Sequence, residues 1–105
     1  MPKQSQTVSF TLIRMYTEKF KWIDPKTGET RTGFNPPENA GFKERVPFFI
    51  RFITEEGKVV SGMVTCIAVY PNRLQRLVKF VESGEKRIAR DYLVIEIDGT
   101  HFFTH

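Results

Sequence analysis

The chain has 105 residues, 40% of them apolar, with 14 aromatics of which ten are Phe, and a formal charge of +4 from 16 basic and 12 acidic side chains. That is the size of one domain, 1–105, with enough large apolar side chains to build a core without disulfides or metal. The lone Cys66 excludes an internal disulfide, no apolar stretch of ~18 residues is present to span a membrane, and the start Met1-Pro2-Lys3-Gln4-Ser5-Gln6 lacks the apolar core of a signal peptide, so a cytoplasmic protein is expected.

Residues 1–6 are polar and are expected to be loose. In Thr7–Tyr16, Val8, Phe10 and Leu12 alternate with Thr7, Ser9 and Thr11, which predicts a strand with one buried face. Phe20–Ile23 and Glu29–Thr32 flank Asp24-Pro25-Lys26-Thr27-Gly28 and predict a hairpin. Pro25 presets φ, Asp24 can accept a bond from the backbone ahead of it, and Gly28 tolerates positive φ. Residues 33–45 are expected to form a long loop, because Asn35-Pro36-Pro37 removes two backbone donors in succession. Phe34 and Phe42 are expected to anchor that loop by tucking inward.

From residue 46 onward, apolar runs alternate with glycine turns. Val46–Thr54 carries Phe48, Ile50 and Phe52 on one face and predicts a central strand; Glu55-Glu56-Gly57-Lys58 closes it onto Val59–Tyr70, where Gly62 is expected to mark a bulge or bend. Residues 72–84 admit two structures. Asn72 and Gln75 imitate a capping box with Leu74, Leu77, Val78 and Val81 at helical spacing, giving an α+β alternative with one helix at 73–83. The competing pattern takes Leu77–Glu82 and Lys86–Arg90 as strands around Ser83-Gly84, with Val78 and Phe80 inward and Lys79, Lys86 and Arg90 outward. Agreement with the β neighbours favours the strands. Asp91-Tyr92 then predicts a single helical turn and Leu93–Ile97 a strand, with Val94 on the side opposite Leu93, Ile95 and Ile97. Asp98-Gly99 is a strong hairpin dipeptide before His101–Phe103.

The two glycine hairpins, the short turn Ala89-Arg90-Asp91-Tyr92 and the strand Leu93–Ile97 give residues 46–103 a form that resembles the SH3-like small β-barrels. The resemblance implies a mainly β fold: a small barrel with an N-terminal strand and hairpin extension. It implies no particular role, since such barrels host many functions. The acidic, aromatic ALYDY-like motif of proline-peptide-binding SH3 domains is absent.

Chemistry-bearing patterns are few. Glu55-Glu56 are adjacent in a turn and point apart; His101 and His105 lie ~13 Å from each other along an extended segment, too far to share one ion. No phosphate loop or dinucleotide fingerprint is present, and Cys66 sits among Val64, Ile67 and Val69 as a buried thiol. Neither an enzyme nor a cofactor or metal site is expected. Charge is the remaining signal: residues 73–90 carry Arg73, Arg76, Lys79, Lys86, Arg87 and Arg90 against Glu82 and Glu85, as much net charge as the entire chain. These six are the candidate nucleic-acid or polyanion contacts, with Lys19, Lys21, Trp22 and Tyr70 as possible neighbours. The alternative is a protein-interaction or self-assembly module that uses a sheet edge, at Thr7–Tyr16 or His101–Phe103, or surplus aromatics such as Phe49, Phe102 and Phe103.

Overall fold

The computed structural model describes residues 12–102. Residues 12–17 form a short helix, where the alternating pattern predicts strand; the first five residues of that expected strand, 7–11, lie outside the described residues. Within the helix, Ile13 and Thr17 are fully buried, Leu12 and Tyr16 are half-buried, and Arg14 and Met15 face water. That is helical spacing. Six residues do not hold a helix alone. Packing of Leu12, Ile13 and Tyr16 against the core holds it, together with side-chain bonds at its end described below.

Two antiparallel sheets follow. The first has the order β2-β1-β3, from β1 (Phe20–Ile23), β2 (Thr30–Gly33) and β3 (Lys43–Arg45). The expected hairpin is present, and Asp24 organises its turn: its carboxylate accepts from the Lys26 N–H at 2.8 Å and from Arg31 Nε at 2.7 Å, while its carbonyl accepts from the Gly28 N–H at 2.8 Å. The expected loop 33–45 is shorter than read, because its last three residues pair with β1 as β3. Phe34 and Phe42 do not tuck inward; they are 42% and 49% exposed. Trp22 takes the buried place on β1, over Gly33, where a Cβ would lie 3.2 Å from the indole.

The second sheet carries the core. Its order is β7-β6-β5-β4-β8-β9, from β4 (Phe48–Ile53), β5 (Val59–Tyr70), β6 (Gln75–Phe80), β7 (Lys86–Arg90), β8 (Val94–Ile97) and β9 (Thr100–His101). Single 3₁₀ turns, Pro71–Arg73 and Asp91–Leu93, join β5 to β6 and β7 to β8. Residues 75–80 are strand, so the helical alternative at 73–83 does not form: Leu77 and Val78 point to opposite faces, and Val78 is buried opposite Cys66. Phe48, Ile50, Phe52, Val64, Val78, Val94 and Ile97 fill one face with Ile13. Each large side chain there contributes about 1.5–3 kcal/mol.

Two local expectations and one global one change. Gly62 keeps register opposite Ile50 and the bulge falls instead between Cys66 and Ala68; Gly62 is needed because the Phe80 ring lies 3.1 Å from where a Cβ would stand. Val94 and Ile97 are buried together, because a register shift between Arg51 and Phe52 breaks the alternation along β8. The fold is mainly β but does not close into a barrel. Among the described residues no ladder joins β7 to the other end of the sheet; the seam between β7 and the β4–β5 hairpin is a solvent cleft of about 510 Å³, crossed by an ion pair from Arg90 to Glu55 at 2.8 Å. Charged side chains along β7 keep its outer edge in water, which also blunts it against pairing with another chain.

Candidate functional site

The β6–β7 hairpin brings some of the six candidate basic residues together and separates others. Residues directly opposite in an antiparallel pair share a face. Lys79 lies opposite Lys86, Leu77 opposite Ile88, and Gln75 opposite Arg90. On β5, Thr65 continues the lysine row and Tyr70 the Gln75–Arg90 row, while Ala68, with the bulged Ile67 beside it, continues the Leu77–Ile88 row. The outer face therefore has three rows: a basic row of Lys79 and Lys86, an apolar strip, and a row ending in Tyr70 and Arg90. Arg73 is exposed on the 3₁₀ turn that directly follows Tyr70.

Arg87 belongs to the opposite face by register but is exposed at the edge, 3.4 Å from Glu85. Arg76 is not a surface cation. It is 3% exposed, and its guanidinium is fully engaged with the protein. Nε and Nη2 donate to the two oxygens of Asp91 at 2.9 and 3.0 Å, and Nη1 donates to Glu18 at 2.7 Å and to the Thr17 hydroxyl. Thr17 in turn donates to the Ile13 carbonyl at 2.7 Å. Burial acts to lower the Arg76 pKa, but the hydrogen bonds and charge of Asp91, then Glu18, outweigh it and the net shift is upward. Burial pushes the Asp91 carboxyl above its ordinary value, against the opposing pull of Arg76. The four side chains lock the N-terminal helix onto β6 and the 3₁₀ turn before β8. Strand parity contains the signal for this: Arg76 falls on the inward side with Val78 and Phe80.

Of the possible neighbours, Trp22 is buried and offers no stacking surface, and Lys21 pairs with Glu44 at 3.4 Å on the other sheet. Tyr70 is exposed and on the right face. Lys79 and Lys86 oppose each other with no ion pair among the described residues. Like charges placed so are unfavourable unless an anion joins them. Cys66 is buried, its thiol donating to the Ala68 carbonyl at 3.5 Å, and burial pushes its pKa up. Among the described residues no three His, Cys, Asp or Glu side chains converge to hold a metal, and no helix is long and apolar enough to cross a membrane. His105 lies outside the described residues, as does Phe103; Phe102 is buried in the core and Phe49 is half-buried.

Comparison with known proteins identifies no relative: no family model, curated protein or solved structure matches the chain.

Proposed function

We propose that this protein is a non-enzymatic binding module of the cytoplasm that holds a polyanion, with nucleic acid as the leading candidate, on the outer face of β6 and β7. The observation that carries this is the opposed pair Lys79 and Lys86 at one end of the face, with the exposed Arg73 past its other end. Arg90 adds a fourth cation once it leaves Glu55. Arg76 takes no part in contact; it supports the face from beneath by fixing β6. The edge strand β9 supports a second reading, in which an extended segment of a partner protein adds to the sheet at Thr100–His101.

Fluorescence anisotropy with a labelled 20-nucleotide oligomer at two salt concentrations tests the first reading. Two lysine–phosphate contacts imply a log–log salt slope of about −1.4 or steeper for a single strand. Lys79→Glu/Lys86→Glu is expected to abolish binding without changing thermal stability. Absence of binding at low salt, or an unaffected double variant, would rule the reading out.

A further inference from the structure

The face described above is not uniformly basic. Between the lysine row and the Tyr70–Arg90 row runs an apolar strip in which Ile67 and Ile88 are 40% and 37% exposed, with Tyr70 at 38%. Leu77 and Ala68 fill the strip between them. From Gln75 to Lys79 the patch spans ~13 Å along the strands, and ~10 Å across three of them. A duplex presents phosphates outward and its bases inward. Docked here it would meet the cations and trap the apolar strip against charged backbone. A single strand supplies both chemistries: phosphates for Lys79, Lys86 and Arg73, and base faces for Tyr70 and the isoleucines. Proteins that hold single strands combine basic tracks with aromatic platforms in this way.

We infer that the occupant of this face is single-stranded nucleic acid, with Tyr70 as the stacking platform and Ile67 and Ile88 as the apolar floor under an adjoining base. The inference rests on the polyanion reading and narrows it. The charge of the patch complements a phosphate backbone, and its uncharged middle has no counterpart in a bare polyanion. Acidic polypeptides would satisfy the lysines but not use the Tyr70 face by stacking.

The test is competition against a labelled 15-nucleotide oligo(dT) at low salt, using the duplex of the same length, inorganic polyphosphate and polyglutamate as competitors. The unlabelled single strand is expected to compete at least about tenfold better than each of the other three. Tyr70→Leu is expected to lose about tenfold for oligo(dT) and nothing for polyphosphate, with Tyr70→Phe close to wild type. Ile88→Ala, on an exposed strand position, gives an independent arm and is expected to lose several-fold for oligo(dT) alone. Equal or tighter binding of the duplex would overturn the inference while leaving the polyanion reading intact. So would a folded Tyr70→Leu with unchanged affinity for oligo(dT), or polyglutamate competing as well as the single strand. Failure of all four to bind at low salt would overturn both.

Discussion

Replacing Arg76 with Met removes the guanidinium from a site where it serves three elements at once. Asp91, 3% exposed, would lose both of its bonds at 2.9 and 3.0 Å, and Glu18 its bond at 2.7 Å. Breaking a buried pair from one side leaves an uncompensated charge and costs about 3–5 kcal/mol. Against a total of about 5–15 kcal/mol for a domain, that is a large share. It corresponds to a fall in Tm of at least about 12 °C for a chain of this length.

The pH dependence of that loss identifies its cause. Burial already raises the folded pKa of Asp91 and Arg76 opposes the rise, so removing Arg76 lifts it further above the unfolded value near ~3.9. A carboxyl with a raised folded pKa stabilises most below its unfolded pKa, and that contribution disappears as pH rises through the folded value. The deficit of Arg76→Met is therefore expected to be largest at pH 7 and smaller at pH 4.5. Adding Asp91→Leu should recover much of the loss, because an apolar replacement of both partners leaves no lone buried charge. Urea denaturation at the two pH values measures all of this. A cost below ~1 kcal/mol, or one equal at both pH values, would show that Arg76 does not compensate a buried Asp91 charge.

Other outcomes follow from single contacts. Glu55→Gln releases Arg90 from its 2.8 Å pair and is expected to tighten oligonucleotide binding several-fold in low salt; weaker binding would mean that Arg90 acts only across the seam. Gly62→Ala drives a methyl to within 3.1 Å of the Phe80 ring and should cost about 1–3 kcal/mol by chemical denaturation, so an unchanged midpoint would count against that packing. Burial raises the Cys66 pKa, so its contribution to stability is complete below the unfolded value near ~8.5 and is lost as pH climbs from there towards the folded value. Cys66→Val is expected to show a shallower fall in Tm between pH 8 and 10 than wild type, and superimposable profiles would contradict a buried thiol.

What the sequence disclosed depended on which interactions were local. The Asp24–Gly28 hairpin, the β4–β5 pair and the Asp91–Leu93 turn are set by residues within a few positions of one another, and they are legible as such. The N-terminal helix is not, because its β-branched and aromatic residues favour strand locally and partners far along the chain decide the matter: Arg76 holds Thr17 and Glu18 from 59 and 58 residues away. Residues 73–83 carried both patterns, and pairing with β5 on one side and β7 on the other selected the strand. Barrel closure was also hidden, since it turns on whether β7 finds a second neighbour rather than on its own composition. In the candidate site, counting charges grouped Arg76 with five surface residues. Only alternation along β6 separates it from Lys79, and Tyr70 joins the face only once the bulge at Ile67 is known.

Mapping the bound ligand onto the backbone distinguishes the β6–β7 face from every other surface of the protein. In an amide correlation spectrum of the nitrogen-labelled protein titrated with oligo(dT), shifts are expected to concentrate at Thr65–Tyr70, Arg73, Gln75–Lys79 and Lys86–Arg90. Amides of the β1–β3 sheet should stay in place. Shifts centred on Lys21, Lys26 and Lys43 instead, or none at saturating ligand in low salt, would contradict binding at that face.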